Sequence, residues 1–342
     1  MRIRAVSKLI GGEILAEAIL TREKEILIPK GTELKSEYIP LIQSLEIESL
    51  MLEDPYEDYE KPHFIIQEDS IKKYTESVRK LMEGHIYHEN DKSLKIFEVI
   101  ANDIVKEINS STAEAILDMK ERNSNLYEHT VMVTLLSVLV GKKLKLDEQR
   151  LYNLALGCLL HDIGLRYVTI PYEGRDLTAV EPAEMFEYKK HTILGYSALQ
   201  DEAWIPQISR KMILSHHENM EGTGFPMKQK YKETECRIIQ ACDAFDCYIS
   251  GMECKRMSVQ EALDIMIENA GKKYDKAVVD NLVSTVAKYP VGTTVKTNVE
   301  ERGVVISQTV DPENPIIMIL NTDECSERNL MLEENISILG VV

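Results

Sequence analysis

The chain has 342 residues, 44% hydrophobic and 28% charged, enough for one large globular domain with one or two small ones. A net charge of −17 excludes a nucleic-acid polymer as partner, because duplex binding needs a basic face, and requires any phosphate-bearing ligand to be neutralised locally. No apolar leader follows Met1-Arg2-Ile3-Arg4 and no apolar run approaches the ~20 residues of a membrane span, so a cytoplasmic protein without a membrane anchor is expected.

Residues 1–60 read as a small α/β module for sensing or dimerisation. Short apolar stretches, Ile14-Leu15 and Ile26-Leu27-Ile28, are separated by Gly11-Gly12 and the turn Pro29-Lys30-Gly31, and a short helix follows around 36–45. Residues 61–91 are expected to hold a linker and a lead-in helix, after an acidic, proline-flanked stretch at 53–62. From 92 to 290 the pattern is helical. Ile96, Val99, Ile100, Ile104 and Ile108 recur at three- and four-residue steps, and similar periodicity predicts helices over 128–143, 148–162, 183–200, 206–217, 233–250 and 258–270. After Tyr289-Pro290, residues 291–342 read as a β unit, with strands at Val295, Val299, Val304-Val305-Ile306 and Ile316 to Leu320. The fold class is therefore mainly α, a helical bundle between a small N-terminal α/β module and a small C-terminal β unit. The six cysteines, 158, 236, 242, 247, 254 and 325, form no CxxC pair and are assigned to packing in a reducing compartment.

Histidines and aspartates stand at helix ends throughout the helical block. His129 opens the apolar helix Val131 to Val140; His161-Asp162 closes another just before Gly164; His216-His217 closes a third. Asp243 lies on an apolar helix, where an ionised carboxylate needs a partner. A lone buried histidine is usually a hydrogen-bonded core residue, and His63, His85 and His88 are left to that ordinary role. Burying the remaining imidazoles and carboxylates together without a cation would be costly.

The series His129, His161-Asp162, His191, His216-His217 and Asp243 resembles the HD superfamily of metal-dependent phosphohydrolases. His216-His217-Glu218 followed by Gly224-Phe225-Pro226 is similar to the HD-GYP subfamily, whose members hydrolyse cyclic dinucleotides, chiefly cyclic di-GMP. The resemblance covers about residues 92–290. It implies an HD-type helical bundle holding two divalent cations, one on His129, His161, Asp162 and Asp243, the other on Asp162, His191, His216 and His217. Asp162 then bridges and is the residue assigned to catalysis. Imidazole and carboxylate ligands without thiolate favour iron or manganese, and a water bridging two cations becomes hydroxide near neutral pH.

Three departures from the family pattern matter, the first for a third metal and the other two for the grip on phosphate. Asn125 stands where some relatives carry a third-metal Glu; Leu165 replaces a phosphate-contacting Lys; Met252 replaces an Arg of a Ser-x-Arg pattern. Arg166, Lys190 and Lys255 are the assigned substitutes, with Arg175, Lys189 and Arg256 also nearby, and Gly224, Phe225 and Pro226 are assigned to substrate recognition. The expected function is a cyclic-dinucleotide phosphodiesterase. Two alternatives stay open: a metal-containing receptor or regulatory protein with little turnover, and a phosphohydrolase for another nucleotide or phosphate ester. A homodimer or signalling-protein partner is also open.

Overall fold

The computed structural model describes all residues except 1, 7, 8, 10, 21–25, 46, 48, 54–65, 87–93, 111–115, 321–325 and 334. His63, His88, Cys325 and most of the acidic stretch at 53–62 therefore lie outside the described residues. The chain divides into two compact units, Met1–His63 with Tyr289–Val342, and Phe64–Lys288.

In the first unit, β1 (Arg2–Ala5) is followed by β2 (Ile19–Leu20), β3 (Ile26–Ile28), α1 (Ile39–Ser44) and β4 (Ser49–Leu52). Strand β1 pairs antiparallel with β4, and β2 with β3. The apolar stretch Ile14-Leu15 forms isolated bridges to Glu33 and Leu52. Leu15, Leu34, Ile42 and Leu52 are buried together as a small apolar core.

The C-terminal segment of this unit is a five-stranded antiparallel sheet. Its strands are β5 (Thr294–Thr297), β6 (Arg302–Ser307), β7 (Ile316–Ile319), β8 (Glu327–Asn329) and β9 (Ile338–Val341), in the order β8-β7-β6-β5-β9. Val299, read as strand, instead sits exposed in the β5–β6 turn, where Glu300 takes φ 64. The strands β8 and β9 are missed by the sequence, because alternation over three or four residues is too short a signal.

The second unit is helical: α2 (Glu68–Ile86), α3 (Ile96–Ser110), α4 (Leu126–Lys143), α5 (Glu148–Leu160), α6 (Pro182–Lys189), α7 (His191–Leu199), α8 (Gln207–Ser215), α9 (Thr234–Ser250), α10 (Val259–Glu268) and α11 (Lys276–Val283). Helix α4 is buried on nearly all sides and packs against α2, α3, α5, α9 and α11, as a helix apolar all round must. Asn125 caps it, its side-chain oxygen accepting from Tyr127 N and Glu128 N, both at 3.1 Å. The single helix expected over 183–200 is interrupted at Lys190, which makes His191 the first residue of α7. Among the described residues no helix is long and apolar enough to cross a membrane.

Candidate metal centre

Each of the seven residues stands at a helix end or on an inward helix face. His129 is in the first turn of α4; His161 ends α5; His216 ends α8, with His217 next; Asp243 lies within α9. Asp162 opens a 3-10 turn, Ile163–Tyr167, which lies against α7. That approach requires Gly164, where a Cβ would stand 1.9 Å from the His191 carbonyl oxygen. Gly164 thereby sets Asp162 beside His191.

The other six side chains gather round Asp162, and its two oxygens face different partners. Oδ2 lies 3.6 Å from His129 Nε2 and 3.4 Å from His161 Nε2; Oδ1 lies 3.6 Å from His191 Nε2 and 3.4 Å from His216 Nε2. Asp243 Oδ1 adjoins the first pair, 3.2 Å from His129 Nε2 and 3.7 Å from His161 Nε2. His217 joins the second, with Nδ1 3.8 Å from Asp243 Oδ2. His129, His161, Asp162, His191, His216 and Asp243 are all buried.

The donor chemistry fits a cation. The Nδ1 of His161, His191 and His216 contact the carbonyl oxygens of Cys158 (2.6 Å), Tyr188 (2.8 Å) and Ile213 (3.0 Å). A carbonyl only accepts, so each Nδ1 is the donor, and Nε2 of the neutral ring is a bare lone pair. Yet His191 Nε2 and His216 Nε2 face each other at 3.1 Å with Asp162 Oδ1 beside them. Asp162 Oδ1 and His217 Nε2 are buried without a hydrogen-bond partner. Acceptors converging in a buried site need a positive centre to hold them together.

The two halves differ electrostatically. Burial opposes charge on His129, but hydrogen bonds to Asp243 and Asp246 outweigh it and push its pKa up to about 9. His161 rises well above the usual range against the same burial, through Asp162 and Asp243. Asp162 and Asp243 are held well below the carboxylate range despite burial, by the surrounding histidines. On the other side, burial, helped by His216 and opposed by the Asp162 charge, lowers His191 to about 4, and His217 falls well below its usual value, chiefly through burial.

A cation entering the His129 side must displace protons, since His129 holds one below about pH 9. Affinity there should rise about tenfold per pH unit for each proton displaced, from about pH 6 upward, and flatten as His129 deprotonates. Calorimetric titration in buffers of different ionisation enthalpy measures the released protons. Affinity constant between about pH 6 and 8 would contradict this.

The remaining assigned residues are distributed unevenly. Phe225 stacks on His217, with centroids 4.5 Å apart, and Lys189 Nζ lies over the Phe225 ring at 5.1 Å. Gly224 passes so close to the His217 carbonyl oxygen that a Cβ would stand 2.3 Å from it, and Phe225 joins Pro226 by a cis peptide. Glu218 fastens this loop, accepting from Met227 N at 2.5 Å and Gln229 N at 3.0 Å. Lys190 is paired with Glu187, and Arg175 makes two 2.9 Å bonds to Glu184. Lys255 is exposed, near Glu261. Arg166 lies near Tyr127 and Tyr172, its Nε buried without a partner. Leu165 and Met252 are both in the apolar core.

Sequence reasoning missed three neighbours of the centre. Asp246 accepts from His129 Nδ1 at 2.7 Å and is bound by Arg122. Glu253 accepts from Tyr188 Oη, and its Oε1 lies 3.4 Å from His217 Nε2. Burial, then the Asp243 charge, raise Glu253 to about 8. Cys247 Sγ donates to Asp243 Oδ1 at 3.8 Å, its thiol pushed well up by burial. Asp246 could have been found, being three residues from Asp243 on one helix. Glu253 could not: it returns to the site only because Gly251 ends α9 in the left-handed conformation, φ 66.

The HD domain family model matches residues 105–278. This chain belongs to the HD domain family. The HD domain is similar to a cyclic di-GMP phosphodiesterase of Pseudomonas aeruginosa, 29% identical over 217 residues, 61% of this chain and 52% of that protein. It is also similar to the cyclic di-GMP phosphodiesterase PdeB of Borreliella burgdorferi, 26% identical over 199 residues, 56% of this chain and 51% of the relative. The matches thus span about half the length of these relatives. Among solved structures, an HDGYP protein from Bdellovibrio bacteriovorus shares the fold, with a TM-score of 0.56 at 20% identity, covering 82% of this chain and 97% of that one. The His/Asp cluster at the heart of this HD domain is of a kind that could hold metal.

Proposed function

We propose that this HD domain is a metal-dependent phosphodiesterase that hydrolyses a cyclic dinucleotide, with cyclic di-GMP the first substrate to test. The observation that carries the reading is the division of Asp162, one oxygen toward His129 and His161, the other toward His191 and His216. His129, His161, Asp162 and Asp243 would hold one divalent cation; Asp162, His191, His216 and His217 would hold the other. Nitrogen and oxygen donors favour iron or manganese. When bound, the pair supplies Lewis acidity to the phosphoryl oxygens and activates water as the nucleophile. The relatives named as cyclic di-GMP phosphodiesterases support the substrate class.

The chain's own residues would grip the substrate with two cations that, among the described residues, have no ion pair: Arg166, four residues after Asp162, and Lys189, over Phe225. Two functions fall to the Gly224-Phe225-Pro226 loop, because Phe225 buttresses His217 as well as lining the approach. Phe225→Ala should therefore weaken the cation held by His217 by about tenfold, along with substrate affinity. Metal titration beside substrate binding measures both. Intact metal affinity with weakened substrate binding would assign the ring to recognition alone.

The direct test of function is metal analysis of anaerobically purified protein, combined with product analysis on cyclic di-GMP. Two iron or manganese ions and a linear dinucleotide or mononucleotide product are expected. Leu165 and Met252 in the core, and the Glu253 carboxyl facing His217, favour a second reading as a receptor with little turnover. Tight binding of cyclic di-GMP by metal-loaded protein without product would select it. Neither binding nor product would leave a phosphohydrolase for another ester.

A further inference from the structure

His129 is held differently from its neighbours. Its Nδ1 contacts a carboxylate, Asp246 Oδ2 at 2.7 Å, whereas His161, His191 and His216 contact backbone carbonyls. Both oxygens of Asp246 accept from Arg122 Nη2 at 2.6 Å, and Asp246 and His129 are wholly buried. Arg122 precedes α4, its backbone N donating to Ile249 O at 3.3 Å, and its Nε lies 3.5 Å from Glu128. With the guanidinium against both oxygens, Asp246 is placed as the acceptor for His129 Nδ1.

We propose that Arg122 is a positioning residue of the metal centre, acting through Asp246 to hold the His129 ring with Nδ1 donating and Nε2 turned toward Asp162 and Asp243. The inference rests on the reading of the cluster as a metal site. A guanidinium suits the task because it is always charged and holds a carboxylate in one orientation. The carboxylate beyond a ligating histidine fixes the ring and raises its basicity. The effect belongs to one half of the centre, because His191 and His216 lean on Tyr188 and Ile213 and touch neither Asp246 nor Arg122.

The test uses the full chain with Arg122→Gln, Arg122→Lys and Asp246→Asn, titrated with manganese while bound ions are counted. Arg122→Gln and Asp246→Asn should weaken one of two ions by about 10–100-fold and leave the other, with Arg122→Lys recovering part of the loss. The residual ion should vanish when His191→Ala is added. A second measurement, nitrogen-15 histidine spectra of metal-free protein, should show a low-field His129 Nδ1 proton in wild type that is lost in Asp246→Asn. Arg122→Lys keeps the charge and tests Arg122 by the same titration and spectra should Arg122→Gln fail to fold. Two ions bound with unaltered affinity in folded Arg122→Gln and Asp246→Asn would overturn the proposal and leave the metal centre standing. Wild-type protein that binds no manganese would overturn both.

Discussion

If the proposed function holds, Asp162→Asn should strip the protein of both cations and lower cyclic di-GMP hydrolysis by about three decades or more. The substitution keeps the volume and removes the one carboxylate that faces four imidazoles, at 3.4 to 3.6 Å. It also replaces an acceptor with an amide group that can satisfy only one side. His129→Ala should behave differently, losing the ion on the His161 and Asp243 side while the His191, His216 and His217 side retains part of its affinity. Metal counting on folded variants, checked by circular dichroism, separates the two cases. If Asp162→Asn still carries two tightly bound ions, Asp162 does not bridge.

Gly164→Ala should be the most damaging single-methyl change in the helical unit. The added Cβ would meet the His191 carbonyl oxygen at 1.9 Å, Gly195 N at 2.7 Å and the His191 carbonyl carbon at 2.8 Å. All three are backbone atoms, so no side chain can rotate away, and the 3-10 turn must move off α7. Overpacking costs typically 1–3 kcal/mol, and this site should reach about 3. For a unit of this size that is a fall in Tm of roughly 6–12 °C. The same shift would draw Asp162 from His191, so loss of metal should accompany loss of stability. Thermal unfolding of metal-free and metal-loaded protein measures both, and a Tm within about 1 °C of wild type would show that the turn relaxes freely.

Much of the helical unit was legible because periodicity reports burial along one element. The Ile96 to Ile108 spacing marks α3, and the all-round apolar run after His129 marks the buried helix α4. The break at Lys190 was not legible, since it adds no proline or glycine and leaves Lys190 at φ −65, ψ −21. The metal-ligand candidates were visible as residue types at helix ends, and their family resemblance named the set.

The sequence by itself determined the HD family and the mainly α fold, and it pointed to the seven His and Asp side chains as candidates, because each is a local pattern or a spaced motif. Only the tertiary structure decided that Asp162 divides its oxygens between two histidine pairs, that Arg122 reaches Asp246 across 124 residues, and that Glu253 returns to His217. It also decided that Leu165 and Met252, read as gaps in a substrate pocket, are core residues, and that Asn125 caps a helix. Periodicity says which face of a helix is buried. What that face meets depends on helix packing and on turns such as Gly164 and Gly251, whose consequences lie far away in sequence.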